Sequence, residues 1–145
     1  MGFYRYSPRQ YDENTYIDIL TYIYMFYVAY VLVINGIYDL TCAVSILWFS
    51  SIPGFRELSR LHSGMLYQST HLVRRMIAYG LMTHGVVRFL AGIYLSQGLL
   101  LAAAASYFIE AFCVEAERKL MIPYKATFVS VSSMLLGIMV LANMS

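Results

Sequence analysis

Charge is scarce in this chain. Only 12% of its 145 residues are Asp, Glu, Lys or Arg, while 60% are apolar or aromatic. The low charge excludes a disordered chain, which needs the reverse composition to stay unfolded, and it argues against a soluble domain of this size. Ten basic against eight acidic residues leave a net charge of only +2, too small and too dispersed for a nucleic-acid surface. Cysteine is equally sparse. Cys42 and Cys113 both fall inside apolar runs, so neither a disulfide framework nor a zinc site has the spacing it needs.

Catalytic motifs are missing too. The chain has no Glu-x-x-His pair of a di-iron bundle, no His-Glu-x-x-His of a zinc hydrolase, no Gly-x-Gly-x-x-Gly and no Gly-x-Ser-x-Gly. His62 and His71 are nine residues apart, whereas two imidazoles on one helical metal site need three or four. The reading is therefore of a protein that is not an enzyme, with no metal and no cofactor beyond a bound phospholipid. No secretory signal is expected in the polar, Tyr-rich first sixteen residues. The termini are expected to be held by neighbouring subunits.

What is present is a series of apolar runs. The fold class they predict is all-α, a polytopic membrane helix bundle forming one integral-membrane domain over residues 1–145. Spans are expected at 17–34, 37–52, 76–95, 98–114 and 122–143, and at ~20 residues each they leave little chain outside the bilayer. Residues 55–75 alternate apolar and polar groups at helical spacing and are expected to form an interfacial amphipathic helix. The Asn35-Gly36 dipeptide decides between five spans and four. Read as a turn, it puts Arg5, Arg9, Arg56, Arg60, Arg74, Arg75, Arg118, Lys119 and Lys125 on one side and no Lys or Arg on the other. Read as a bend, it separates the first two arginines from the other seven. The positive-inside rule favours the turn, hence five spans with the N-terminus on the cytoplasm- or matrix-like side.

Polar residues within the runs form the candidate site. Gly80, His84, Arg88 and Gly92 recur every four residues on the third span, and Ala102, Ser106 and Glu110 do so on the fourth. With a tight turn near Gln97, residues of equal depth have numbers summing to about 194. His84 is then level with Glu110, Arg88 with Ser106, and Gly92 with Ala102. A His84–Glu110 hydrogen bond is expected, with Arg88 held by Ser106, Glu110 or Asp39. Gly80, Gly92, Ala102, Ser130, Ser133 and Gly137 are expected to let helices approach closely. A cluster of this kind acts either as a structural lock or, since His and a carboxylate exchange protons near neutral pH, as a relay; the structural role is the one expected. Fourteen tyrosines, eight of them before residue 31, point to interfacial anchoring and a partner surface.

Residues 75–134 resemble a family of small endoplasmic-reticulum proteins that scaffold the sterol C-4 demethylation enzymes. The matching features are Arg75 and Arg88, the apolar third span, Tyr107-Phe108-Ile109-Glu110, and Pro123 followed by Ser130 and Met134. The family's Trp in the third span is Gly80 here, and its His before the acidic residue is Ser106. The resemblance implies a noncatalytic scaffold in which Arg75, Arg88 and Glu110 are structural.

Three functions follow, in order. The first is a noncatalytic accessory subunit whose partners are other membrane subunits and lipids, in the mitochondrial inner membrane and of respiratory-chain or ATP synthase type. The second is the endoplasmic-reticulum sterol scaffold, and the third a small transporter or proton-conducting unit using Glu110 and His84. The last ranks lowest because no inverted repeat is visible.

Overall fold

The computed structural model describes residues 13–49, 52–54 and 70–144, and among them the chain is almost wholly helical. Helix α1 (Glu13–Leu47) is followed by α2 (His71–Tyr94), α3 (Gln97–Ala116), a 3₁₀ turn (Arg118–Leu120) and α4 (Pro123–Ala142). All four α-helices are long and apolar enough to cross a membrane. A helix satisfies its own backbone groups, as a spanning segment requires. The chain is thus a helical integral membrane protein.

Local chemistry sets the helix ends. Thr70 caps α2 by accepting a hydrogen bond from the Val73 amide at 3.3 Å. Pro123 opens α4, where its missing N–H costs nothing. Between α2 and α3 only Leu95 and Ser96 intervene, and Leu95 adopts the left-handed region (φ 48°). So short a connection makes α2 and α3 antiparallel neighbours.

Among the described residues four crossings replace the five expected. The Asn35-Gly36 dipeptide lies inside an unbroken 35-residue α1, so the two expected spans 17–34 and 37–52 are one helix. The reason lies in α2. A Cβ at Gly36 would sit 2.6 Å from the Phe89 nitrogen and 2.8 Å from the Gly85 carbonyl oxygen, so the glycine serves a close helix crossing and not a turn. The orientation changes with the count. With alternating helices the start of α1 and the end of α4 share one side, opposite the connections that carry Arg74, Arg75, Arg118, Lys119 and Lys125, so the expectation from the positive-inside rule reverses and sets the start of α1 away from the cytoplasm or matrix. The expected interfacial helix at 55–75 falls mostly outside the described residues, as do residues 1–12 and any hold on the N-terminus; its last residues, from His71, are the opening turns of α2.

The C-terminal half of α1 packs antiparallel along α2. Gly85 faces Gly36 and Leu40, and Gly92 faces Ala29 and Val33. Cys42, Ala43 and Ile46 close over Ala78 and Leu81 at one end. Val28, Leu32 and Ala91 meet Ala103, Ala104 and Tyr107 of α3 and Val140 of α4 at the other. Helix α4 lies against α3, with Gly137 under the Phe108 ring and Val114 against Ala126. At 1.5 Å per residue α1 is about 52 Å long, well beyond a ~30 Å hydrocarbon core. The surplus falls at its N-terminal half, where Tyr16 to Tyr27 are almost all exposed.

Candidate functional site: a buried arginine shared by four helices

Arg88 lies mid-helix on α2 with 1% of its surface exposed. A bare guanidinium at this depth is costly, so its N–H groups must be met by protein. They are. Nη1 donates to Asp39 Oδ2 on α1 at 2.7 Å and lies 3.5 Å from Asn35 Oδ1. Nη2 donates to Glu110 Oε2 on α3 at 2.6 Å, and Nε donates to Ser106 Oγ at 3.0 Å. The Tyr107 ring covers the guanidinium face, its centroid 3.8 Å from Cζ. Helix α4 joins through Ser133, whose hydroxyl donates to Glu110 Oε2 at 3.2 Å.

This network uses the planar fork of arginine, which offers donors in several directions within one plane. Asp39 and Asn35 are one turn apart and share a face of α1. Ser106 and Glu110 bear the same relation on α3. The equal-depth register of the α2–α3 hairpin therefore has its physical counterpart in the Arg88–Ser106 bond. Ser106 also donates to the Ala103 carbonyl oxygen at 2.7 Å, so its hydroxyl both donates and accepts. The buried Tyr107 hydroxyl has no hydrogen-bond partner among the described residues, so its role here is carried by the ring.

His84 takes no part in the ion pairs. The expected His84–Glu110 hydrogen bond is absent among the described residues, where Glu110 Oε2 accepts from Arg88 and Ser133 instead. Instead both residues line a largely apolar cavity of about 570 Å³ between α2 and α3, with Gly80, Ile77, Cys113 and Val114.

The small residues divide into contacts and spectators. Gly92 and Gly137 are at helix contacts, but Gly92 meets α1 and not Ala102, which is exposed. Gly80 is no contact either, because a Cβ there would meet nothing within 4 Å. Ser133 serves Glu110, and Ser130 is only partly buried. The rotation of the helix explains the division: twelve residues advance it by about 120° beyond whole turns, so Gly80 and Gly92 cannot share a face, whereas seven residues bring Gly85 and Gly92 back within about 20°. Gly80→Ala is accordingly expected to leave thermal unfolding in detergent unchanged or to raise stability by roughly 0.5–1 kcal/mol through helix propensity. A loss above about 1 kcal/mol, more than the propensity scale spans, would place Gly80 in a contact after all.

The sequence pattern alone does not single out Asn35, Gly36, Gly85 or Tyr107. Asn35 and Gly36 are masked by their resemblance to a turn, although Asn35 stands four residues before Asp39. Tyr107 is visible in the hairpin register, one residue from Ser106. Among the described residues no group of three or more His, Cys, Asp or Glu side chains is placed to hold a metal ion. Compared with family models, curated proteins and solved structures, the chain matches none of them.

Proposed function

We propose that this chain is a noncatalytic accessory subunit, a scaffold that acts by helix packing within a large multi-subunit complex of the mitochondrial inner membrane, of respiratory-chain or ATP synthase type. The observation that carries the reading is the uncovered, tyrosine-rich N-terminal half of α1. Tyr16, Tyr22, Tyr27 and Tyr30 are all more than half exposed. Their span along the axis is about 21 Å, wider than one headgroup belt, which is about 5–8 Å deep on each side of the hydrocarbon core. Tyr30 lies level with the end of α2, where a phenolic hydroxyl needs an acceptor, while Tyr16, Tyr22 and Tyr27 stand on the part of α1 that outruns the hydrocarbon core, an exposed aromatic surface of the kind that partners cover. Tyr24 finds an acceptor within the chain, donating to the Met139 carbonyl oxygen at 3.1 Å. In this reading neighbouring subunits supply the acceptor of Tyr30 and cover the aromatic surface beyond it.

The Arg88 network supports the same reading from inside. Its charged groups are spent on one another and tie the four helices together, which is what a scaffold needs. A relay would need groups that can exchange their partners. Fractionation of organelles followed by native-gel separation and mass spectrometry tests the proposal. The chain is expected in mitochondria, in a species many times its own mass of 16.6 kDa. Replacing Phe26 and Tyr30 together by Ala is expected to release it from that species while its helicity persists. Migration with sterol enzymes in the endoplasmic reticulum, or as a lone small species, would overturn the assignment.

A further inference from the structure

At the basic end of the bundle a pocket of about 370 Å³ opens between the end of α1 and the start of α2. Arg74, Arg75 and His71 line one wall, and Ile46, Leu47, Trp48 and Met82 line the rest, with no acidic residue among the described lining. Arg75 is held in place over Tyr79, donating to its hydroxyl at 3.0 Å with the ring 6.0 Å below. The first turn of α2 contains no acidic residue, so the positive pole of the helix dipole adds to the arginines instead of being offset. A second groove adjoins this pocket through two shared residues. Tyr79 and Met82 also line a second groove of about 370 Å³, which continues along α2 past Thr83, Val86 and Val87.

Thr83 turns its hydroxyl away from that groove, donating to the Tyr79 carbonyl oxygen at 3.0 Å, which leaves its methyl as the outward group. From Arg75 to Val87 the groove runs about 18 Å, comparable with the ~15 Å depth of one leaflet's hydrocarbon. The sequence of surfaces is therefore cationic, then aromatic at interfacial depth, then wholly apolar.

We propose that this continuous slot is the seat of one acidic phospholipid, its phosphate on Arg75 and the opening of α2 and one acyl chain along Tyr79, Met82, Val86 and Val87. Charge selects the class. Basic pockets between spanning helices on the positive side take anionic headgroups, whereas a choline headgroup would bring a further positive charge against the two arginines. The site requires only that the chain is in a membrane and does not rest on the subunit reading.

Native mass spectrometry of the full chain tests this in micelles supplied with equal phosphatidylglycerol and phosphatidylcholine of the same acyl chains. Phosphatidylglycerol is expected to be retained about tenfold over phosphatidylcholine, equivalent to about 1.4 kcal/mol. Arg75→Gln is expected to bring the two lipids to near parity, while Arg75→Lys keeps most of the preference. Val86→Trp, which fills the groove, is expected to reduce retention of phosphatidylglycerol several-fold with helicity unchanged. Inorganic phosphate at millimolar concentration is expected not to displace the lipid. Equal retention of the two lipids, an unaltered preference in Arg75→Gln, full retention in Val86→Trp, or displacement by inorganic phosphate would each overturn the proposal. Because purified chain is used, the lipid site and the subunit assignment stand or fall separately.

Discussion

Arg88→Leu is expected to lower the unfolding free energy of the purified chain by about 3–5 kcal/mol, the cost of removing one partner from a buried ion pair. The loss comes from what is left behind. Asp39 and Glu110 would lose the donors that meet them at 2.7 and 2.6 Å, in a place where water cannot replace them. Three helices would lose their common tie, and Ser133 would bind a carboxylate no longer joined to α2. Titration with denaturing detergent, followed by loss of helicity, measures the effect. Arg88→Lys is expected to fall between, since one ammonium cannot serve Ser106, Asp39 and Glu110 from the positions that the guanidinium fork reaches.

A companion variant separates charge imbalance from packing. Adding Asp39→Asn and Glu110→Gln to Arg88→Leu removes the uncompensated charges, and is expected to recover more than half of the loss. No recovery would mean that the side-chain volume of Arg88 dominates its charge. In the organelle membrane, Arg88→Leu is expected to deplete the chain from its assembly while the turnover of each surviving complex is unchanged. Normal assembly with lost turnover would contradict a noncatalytic role.

The second large effect is expected at Gly36. Gly36→Val places carbon where the Phe89 nitrogen, the Gly85 carbonyl oxygen and the Phe89 Cβ lie within 2.6–2.8 Å. Two of these are backbone atoms of a rigid helix, so α1 and α2 must move apart. Overpacking of this kind costs about 1–3 kcal/mol. More follows from position. Asp39 is three residues further along the same helix, so a shift of α1 at Gly36 also lengthens the Asp39–Arg88 contact. Gly36→Val and Arg88→Leu are thus expected to be non-additive, the double variant losing less than the sum by about 0.5 kcal/mol or more. Strict additivity, or a loss at Gly36 no greater than at Gly80, would show that the crossing does not position the ion pair.

Several features of the site are legible in the order of residues alone. Counting inward from a tight connection pairs Arg88 with Ser106, and the same count puts Glu110 within reach of a long arginine. Partner choice is not legible in this way. The register makes His84 the neighbour of Glu110 by depth, but depth does not say which donor faces it. The reach of the side chain also counts: His84 and Arg88 are only about 40° apart round the helix, yet the long guanidinium meets the carboxylate while the shorter imidazole stays on the wall of the cavity that it shares with Glu110.

The N-terminal half is harder to read for a related reason. Asn-Gly favours turns in water because glycine tolerates unusual backbone angles and asparagine bonds to its own backbone. The same two residues serve a buried helix equally well, one offering a polar group toward an arginine and the other giving up its Cβ to a neighbouring backbone. Counting positive charges cannot separate these roles, since two of the nine lie before α1 and the other seven follow it. A majority remains on one side under either topology.

Composition and the lengths of apolar runs determined that the chain is helical and crosses a membrane, because hydrocarbon leaves backbone polar groups no partners outside a helix or a closed barrel. The short α2–α3 connection determined which residues share a depth. Only the tertiary structure decided that α1 runs through Asn35-Gly36, that Gly36, Gly85 and Gly92 and not Gly80 and Ala102 are the close contacts, and that one arginine gathers side chains from α1 and α3 and, through Glu110, from α4. Those outcomes depend on which way each helix turns its faces, and neighbouring backbones set that rotation through contacts between residues distant in sequence.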